Sequence, residues 1–264
     1  MWPALNSQVS QKDKHMLSRT IYSFLIAAIT LIGVAHASAE ESMSDARKQE
    51  IEAVVQEYIL KNPEVLMRAI QTYQIQQQAA KRKRAKDNLT ILASELTGNP
   101  SSPVIGNPDG DVTIVEFFDY RCGFCKRAYP TIQALLKEDG NIRYVLKEFP
   151  ILGPDSLLAA QASLAVWNNT PEQYLPFHTA LMKSRGSLNA AKIFSVAGNL
   201  GLDTDAIRKN MKNAPVRDEI NKNMELSESL GIAGTPAFII GDQLAPGAIS
   251  IDEMKAMVAH ARKG

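Results

Sequence analysis

The sequence predicts an α/β protein in which short buried strands alternate with helices, preceded by a helical extension. Residues 112–118 form an apolar run rich in β-branched and aromatic residues, which is typical of a strand buried on both faces. A segment with helical spacing of its apolar residues follows, and residues 142–149 form a second strand-like run. Two strands joined by a helix form a right-handed parallel unit, so these segments predict the centre of a sheet.

The start of the chain has the features of a secretory signal peptide, which we assign to residues 1–39. Three basic residues precede an apolar run at 21–35, and small residues then predict cleavage after Ala37 or Ala39. A retained transmembrane anchor is the alternative, although the run is short for a span of about 20 residues. Met16 also fits as the start. Export, with a periplasmic location, would place the cysteines in an oxidising compartment.

Residues 40–97 predict a helical extension. Its apolar residues recur at helical spacing on two segments, with Asn62 placed to cap the second helix and Pro63 to open it. An apolar stripe on a helix must be buried, so the extension either packs on its own chain or forms a homo-oligomer. We favour the oligomer. The basic run at 81–86 is interpreted as a solvated helix face rather than a surface for membranes or nucleic acid, because no aromatic residues interrupt it.

The remaining residues, 98–264, are predicted to form the α/β domain, and the turn-rich segment 98–103 marks its boundary. Residues 154–231 contain helical patterns and no convincing strand, which predicts an inserted block of five helices. Strand character returns at 237–240, followed by a short partner strand and a final helix. His178, within the helical block, is interpreted as a packed or surface residue rather than a metal ligand.

The chain has only two cysteines, Cys122 and Cys125, where the central strand is followed by a helix. A helix N-terminus presents unpaired N–H groups and a partial positive charge, which favour a thiolate. We therefore predict that Cys122 is an exposed nucleophile and Cys125 a shielded resolving thiol. A structural disulfide would close too short a loop to constrain the unfolded chain much. Zinc would need two more ligands, and covalent haem needs a histidine where Lys126 stands.

Glu116 is a candidate for proton transfer at these thiols. Strand alternation places it on a buried face six residues before Cys122, where its carboxylate should be largely desolvated. A buried carboxylate near the cysteines can relay protons or raise the pKa of Cys125. Arg143 and Lys147 are both candidates for its cationic partner, and a glutamate ion-paired at the sheet edge is the structural alternative.

Three separated motifs, at residues 116–125, 147–155 and 234–238, together resemble the DsbA-like thiol:disulfide oxidoreductases. This resemblance implies a thioredoxin fold with an all-helical domain inserted after the second strand. Residues 44–97 resemble, less specifically, the N-terminal extension of the ScsC-like branch, whose members can oligomerise through it.

The same resemblance implies roles for individual residues. Pro236 corresponds to the cis-proline that the family places beside its active site, and Thr235 would offer its backbone to an extended substrate segment. Gly123 and Phe124, between the cysteines, would tune the redox potential. Cys122 would be the nucleophile, in agreement with its position at the helix start.

The function expected from this resemblance is disulfide exchange with unfolded or misfolded exported proteins. Electrons would pass to or from a membrane thiol redox partner, and no metal or dissolved cofactor would be required. The direction stays open, because a possible oligomer and Thr235 favour isomerase or reductase, whereas the core favours oxidase. Two alternatives are a thiol module that binds a soft metal such as Cu(I), and an envelope scaffold. A net charge of +1 gives no indication of nucleic acid as a partner.

Overall fold

A computed structural model describes residues 43–263, and these divide into two compact units between Gln71 and Thr72. The predicted signal peptide lies outside the described residues. The helices are α1 (Asp45–Lys61), α2 (Pro63–Ile91), α3 (Ala93–Thr97), α4 (Gly123–Glu138), α5 (Pro154–Asn169), α6 (Tyr174–Lys183), α7 (Ala190–Asn199), α8 (Thr204–Asn210), α9 (Ala214–Leu230) and α10 (Ile251–Ala261). The strands are β1 (Val104–Gly106), β2 (Val112–Phe118), β3 (Ile142–Glu148), β4 (Ala237–Ile240) and β5 (Gln243–Pro246). No helix in the described residues is both long and apolar enough to cross a membrane.

The first unit contains α1 and the beginning of α2. The Ser44 hydroxyl accepts a hydrogen bond from the backbone of Arg47 and caps α1, which has no buried residue. Asn62 lies directly before Pro63, where the second helix begins, as predicted. Its side-chain amide donates to the backbone oxygen of Tyr58 at 2.8 Å, and this oxygen also accepts the Asn62 backbone N–H at 2.9 Å, so these contacts tie Asn62 to the end of α1. Apolar side chains remain exposed along this unit, namely Ile51, Val54, Val55, Tyr58, Ile59, Leu66, Met67 and Ile70.

The second unit contains a five-stranded sheet in the order β1-β3-β2-β4-β5. Strands β2 and β3 are parallel and joined through α4, whereas the other neighbouring pairs are antiparallel. This is a thioredoxin-like fold, as the sequence predicted. Strand β2 lies at the centre, so the loop that follows it emerges from the middle of the sheet and not from an edge.

The side chains of β2 alternate between two buried clusters, one on each face of the sheet. Helices α4 and α10 and much of the helical insertion contribute to the first cluster, which contains Ile114 and Phe118. The end of α2, together with α3 and α9, contributes to the second, which contains Val115 and Phe117. Both faces are therefore covered, which explains why β2 is a continuous apolar run apart from Glu116.

The sequence-predicted boundary at residue 98 differs from the structure. Leu89 and Leu96 are buried in the second cluster, so the last turns of α2 and all of α3 belong to the unit that contains the sheet. Burying one leucine stabilises a fold by about 1.5–3 kcal/mol, so these two side chains help to hold the turns on the sheet. The segment after α3 is anchored as well, because Ser102 is buried and donates to Glu219 of α9 at 2.7 Å.

The helical insertion occupies the connection between β3 and β4. It contains five α-helices, α5 to α9, and a short 3-10 turn at Pro171–Gln173. Gly231 ends α9 in the left-handed conformation, with φ of 70°, which glycine adopts at little cost. The insertion thereby returns the chain to β4 directly beside β2, which brings the 235–236 segment to the end of the central strand.

Candidate active site

The two cysteines lie at the start of α4, immediately beyond the carboxyl end of β2. Cys122 is the N-cap residue, and its sulfur accepts a hydrogen bond from the backbone N–H of Cys125 at 3.4 Å. The backbone N–H of Cys122 donates to the Asp119 carbonyl at 3.0 Å, which fixes the turn between strand and helix. Both cysteines are free thiols. The sulfur of Cys122 therefore faces the unpaired N–H groups of the first helical turn.

The loop before β4 covers this sulfur. The Thr235–Pro236 peptide bond is cis, as the family resemblance implied, and the Cys122 thiol donates to the Thr235 carbonyl at an Sγ–O distance of 3.2 Å. Cys122 and Thr235 are 113 positions apart in the chain, and the fold brings the sulfur of one into contact with the carbonyl oxygen of the other. The backbone of Thr235 therefore lies directly beside the sulfur.

Cys122 is more accessible to solvent than Cys125, as predicted, but the difference is smaller than predicted. Cys122 retains only 6% of its accessible surface, so the expectation of an exposed sulfur is wrong, because the Thr235 loop packs against it. Cys125 retains 0%. Burial, together with the negative charge of Glu116, raises the pKa of the Cys125 thiol.

Glu116 is 1% exposed and lies on the same face of the sheet as α4. Burial raises its pKa from 4.5 to about 8, and the Tyr144 hydroxyl opposes this by donating to Oε2 at 2.7 Å. The other carboxyl oxygen, Oε1, is buried without a hydrogen-bond partner in the described part of the chain. This carboxyl can therefore take up or release a proton close to neutral pH, on the side of the sheet where Cys125 is buried.

Neither cation predicted for Glu116 is its partner. Tyr144 and Leu146 share its face of the sheet, so strand alternation puts Arg143 and Lys147 on the opposite face. The Lys147 ammonium there donates to the Ser102 hydroxyl at 2.7 Å and lies 3.8 Å from the Glu219 carboxylate. The sheet-edge alternative is also wrong, because β2 is the central strand.

The two residues between the cysteines lie at the surface. Phe124 is 59% exposed, and the guanidinium carbon of Arg127 lies 4.3 Å from its ring centroid. A Cβ atom at Gly123 would lie 3.4 Å from Nη1 of Arg127, so this side chain folds back towards the start of α4. The surface around Cys122 is therefore both aromatic and basic.

Asp119 supports the active-site turn and was missed from the sequence. Its buried carboxylate accepts hydrogen bonds from the Arg121 backbone at 2.7 Å, the Leu152 backbone at 3.0 Å and the Ser156 hydroxyl at 2.8 Å. A carboxylate directly after a buried strand and before a cysteine was the available signal. The partners at 152 and 156 could not be found from spacing, because the helical insertion supplies them.

His178 is a packed residue, as predicted, and the surface alternative is wrong. Burial lowers its pKa to about 3, so the ring is neutral, and Nδ1 lies 2.9 Å from the Tyr120 hydroxyl. The same hydroxyl lies 2.6 Å from the Ser163 hydroxyl. These contacts link the active-site turn to α5 and α6 of the insertion. Across residues 43–263 there is no cluster of three or more His, Cys, Asp or Glu side chains suited to hold a metal ion.

A thioredoxin-like sheet with two cysteines at the start of the helix after β2, facing a cis-proline loop, defines the thiol:disulfide oxidoreductases. Residues 113–259 match the profile of the DSBA-like thioredoxin domain, and the chain belongs to this family. Residues 48–80 match the copper resistance protein ScsC N-terminal domain. The predicted family, fold and oxidoreductase class are confirmed.

Individual relatives agree with this assignment. Disulfide bond formation protein D of Bacillus subtilis (strain 168) is 27% identical over 182 residues, which cover 64% of this chain and 82% of the relative. A thioredoxin-like oxidoreductase from Silicibacter pomeroyi DSS-3 is 41% identical, with a TM-score of 0.63 over 65% of this chain and 98% of that chain. A periplasmic thioredoxin-like protein from Salmonella enterica serovar Typhimurium is 30% identical, with a TM-score of 0.58 over 66% and 97%.

Proposed function

We propose that the protein is an exported thiol:disulfide oxidoreductase that exchanges disulfides with unfolded or misfolded exported proteins, with Cys122 as the attacking thiol and Cys125 as the resolving thiol. The observation that carries the proposal is the placement of the Cys122 sulfur 3.2 Å from the Thr235 carbonyl, with Cys125 fully buried behind it. Only the first sulfur can be reached by a substrate segment that runs along the Thr235 backbone.

In the reductive direction the Cys122 thiolate attacks one sulfur of a substrate disulfide. The substrate bond breaks, a mixed disulfide with Cys122 forms, and the released substrate thiolate takes up a proton. Cys125 then loses its proton and attacks the Cys122 sulfur, which releases the second substrate thiolate and leaves the Cys122–Cys125 disulfide. Two electrons pass from the protein to the substrate, so the exchange is balanced without a metal or a dissolved cofactor.

Glu116 is proposed to accept the proton that Cys125 loses. A thiol whose pKa is raised by burial needs a base, and Glu116, on the same face of the sheet, can serve in its ionised form. With a pKa of about 8, roughly one tenth of this carboxyl is ionised at pH 7, and the fraction grows as the pH rises. The unpartnered Oε1 leaves one oxygen free to receive this proton. The oxidative direction uses the same groups in reverse.

Thr235, Pro236, Gly123 and Phe124 are proposed to bind the substrate segment. The first two present backbone beside the sulfur, and the exposed aromatic ring between the cysteines offers an apolar contact. A segment that binds in this way contributes its own backbone, which suits unfolded chains of varied sequence.

Export rests on the signal-peptide pattern of residues 1–39 and on the similarity to a relative described as periplasmic. A membrane thiol redox partner would restore the working oxidation state. Self-assembly through residues 40–71 is supported by the exposed apolar side chains of the first unit and by the match to the ScsC N-terminal domain. Light scattering on a variant that lacks residues 40–71 tests it, and an unchanged subunit number would rule it out.

Two assays test the activity and its direction. Insulin reduction should proceed in the presence of a Cu(I) chelator and be lost in Cys122→Ser, whereas a module that only sequesters soft metal would not reduce insulin. Refolding of scrambled ribonuclease, together with the reduction potential of the Cys122–Cys125 pair, separates isomerase from oxidase. Exchange activity that survived in Cys122→Ser would overturn the proposal.

A further inference from the structure

The surface around Cys122 carries three cations whose polar contacts, within the described residues, are carbonyls and an aromatic ring rather than surface carboxylates. The Arg121 guanidinium donates to the Leu152 carbonyl, and the Lys126 ammonium donates to the Ser184 carbonyl at 2.7 Å. Arg127 stacks on the Phe124 ring at 4.3 Å. A carbonyl or a ring contact leaves the positive charge uncompensated, so it remains available to a bound anion.

The carboxyl groups of Asp119, Glu116 and Glu148 near these cations are buried, whereas Asp155, in the first turn of α5 and two residues from Gly153, is half-buried. The Asp119 carboxylate accepts hydrogen bonds from three donors. Its negative charge acts on the Lys126 ammonium and offsets part of the positive charge of this surface. Burial raises the pKa of Glu116 to about 8, so this carboxyl is largely protonated at neutral pH, and burial also raises the pKa of Glu148. Arg121, Lys126 and Arg127 thus lie within five residues of the reactive sulfur in the chain, and none of them forms a salt bridge with a carboxylate of the described residues. The first turn of α4 contains no acidic residue.

The two arginines lie on either side of Cys122 in the chain and are both exposed. Arg121 precedes the cysteine directly, and its Nη1 would lie 3.3 Å from a Cβ atom at Gly153, which places the charge along the loop between β3 and α5. Arg127 folds back so that its charge lies next to Gly123. A segment bound along Thr235 would therefore have a cation near the residues that flank its cysteine.

We propose that this surface selects substrate segments whose cysteine is flanked by acidic residues, with Arg121 and Arg127 as the residues that determine this specificity. The inference deepens the proposed disulfide exchange and depends on it. The substrate carboxylates lie against the two guanidinium groups while the substrate sulfur bonds to Cys122. Phe124 holds the Arg127 guanidinium in place and gives the segment an apolar contact.

The test uses the full-length protein with the Cys122–Cys125 disulfide formed and three dithiol peptides that differ only in the residues next to each cysteine, which are Glu, Gln or Lys. A peptide thiolate attacks the Cys122 sulfur and Cys125 leaves as a thiol after taking up a proton. The second peptide thiolate then closes the peptide disulfide and releases reduced Cys122. Each rate is divided by the rate of the same peptide with hydroxyethyl disulfide, because flanking charge alters the reactivity of the peptide thiol itself.

The normalised rate of the Glu peptide should exceed that of the Lys peptide about tenfold at low salt, since electrostatic steering raises association rates by 10-fold or more. The ratio should approach one in about 1 M salt, where the Debye length is about 3 Å. Arg121→Gln combined with Arg127→Gln should reduce the low-salt ratio to about twofold. Lys209→Gln, an exposed cation at the end of α8, is the matched control and should leave the ratio unchanged.

The outcomes separate this inference from the proposed function. If the Gln peptide is not oxidised at all, disulfide exchange itself is wrong. If the Gln peptide is oxidised but the Glu and Lys peptides react at equal normalised rates, the specificity is wrong and the exchange stands. A ratio that persists in the double arginine variant would also overturn the inference, because the selectivity would then arise elsewhere.

Discussion

Replacing Glu116 by glutamine should make the folded protein more stable than the wild type at neutral pH, by an amount that grows with pH. Glutamine has the shape of the protonated acid, so its Oε1 can still accept the Tyr144 hydroxyl. What the variant lacks is the titration of a buried carboxyl. The difference in the free energy of unfolding between the two proteins therefore measures what it costs to bury the Glu116 carboxyl at a pH where it would ionise in water.

The pKa of Glu116 gives the sign and the size of the effect. Folding raises this pKa from 4.5 to about 8, so the folded state holds the proton more tightly than the unfolded chain. The stability that this tighter proton binding by Glu116 contributes is complete below pH 4.5 and is lost as pH rises through about 8. Each pH unit in this window costs the wild type about 1.4 kcal/mol relative to the glutamine variant. The difference accumulated by pH 7 is about 3 kcal/mol, and it levels off above pH 8.

Urea unfolding of both proteins, with the cysteines kept reduced, measures this difference at pH 5, 6, 7 and 8. The free energies of unfolding should diverge between pH 5 and 8 in favour of Glu116→Gln, and all other titrating groups cancel in the comparison. The same variant should resolve a mixed disulfide about 100-fold more slowly at pH 7, because Cys125 loses its base. A pH-independent difference in stability together with an unchanged rate of resolution would refute both the burial argument and the proton-transfer role.

Three further predictions concern the surroundings of the site. Tyr144→Phe removes the hydrogen bond that the Tyr144 hydroxyl donates to the ionised Glu116 carboxyl, so the loss of stability with rising pH should extend above pH 8 in urea unfolding, and an unchanged profile would contradict this. Leu96→Ala should lower the free energy of unfolding by about 2–4 kcal/mol because this side chain is 2% exposed, whereas the control Leu66→Ala, at 51% exposure, should cost less than about 1 kcal/mol in a dilute sample. Glu219→Gln leaves the Lys147 ammonium buried beside a neutral partner and should lower the free energy of unfolding by about 3–5 kcal/mol. Replacing both Glu219 and Lys147 by apolar residues should recover most of this loss. Equal losses of stability in the single and double variants would argue against the buried ion pair.

Much of the fold could be predicted because its central strands are rich in β-branched and aromatic residues and its helices have clear apolar spacing. The central strand, the helix after it and the five inserted helices follow from local patterns. The boundary of the helical extension could not be predicted in the same way. Leu89 and Leu96 look like any other apolar helix residues, and only the three-dimensional structure shows that they pack on the sheet.

The site shows the same division between local and long-range information. Cys122 and Cys125 are recognisable because their spacing and their position at a helix start are local features. The partner of Glu116 was predicted wrongly, because the prediction sought a cation and did not apply strand alternation to β3, which places Tyr144 on the correct face. The low exposure of Cys122 depends on Thr235, more than a hundred residues away, so no local pattern could indicate it.

The central claim is that Cys122 reacts with the substrate and that Cys125 acts only on the resulting mixed disulfide. Mass spectrometry of Cys125→Ser and Cys122→Ser after each has been mixed, in reduced form, with scrambled ribonuclease tests this claim most directly. We predict that Cys125→Ser accumulates a stable mixed disulfide at Cys122, whereas Cys122→Ser accumulates none. A mixed disulfide that forms at Cys125 as fast in Cys122→Ser would contradict the account.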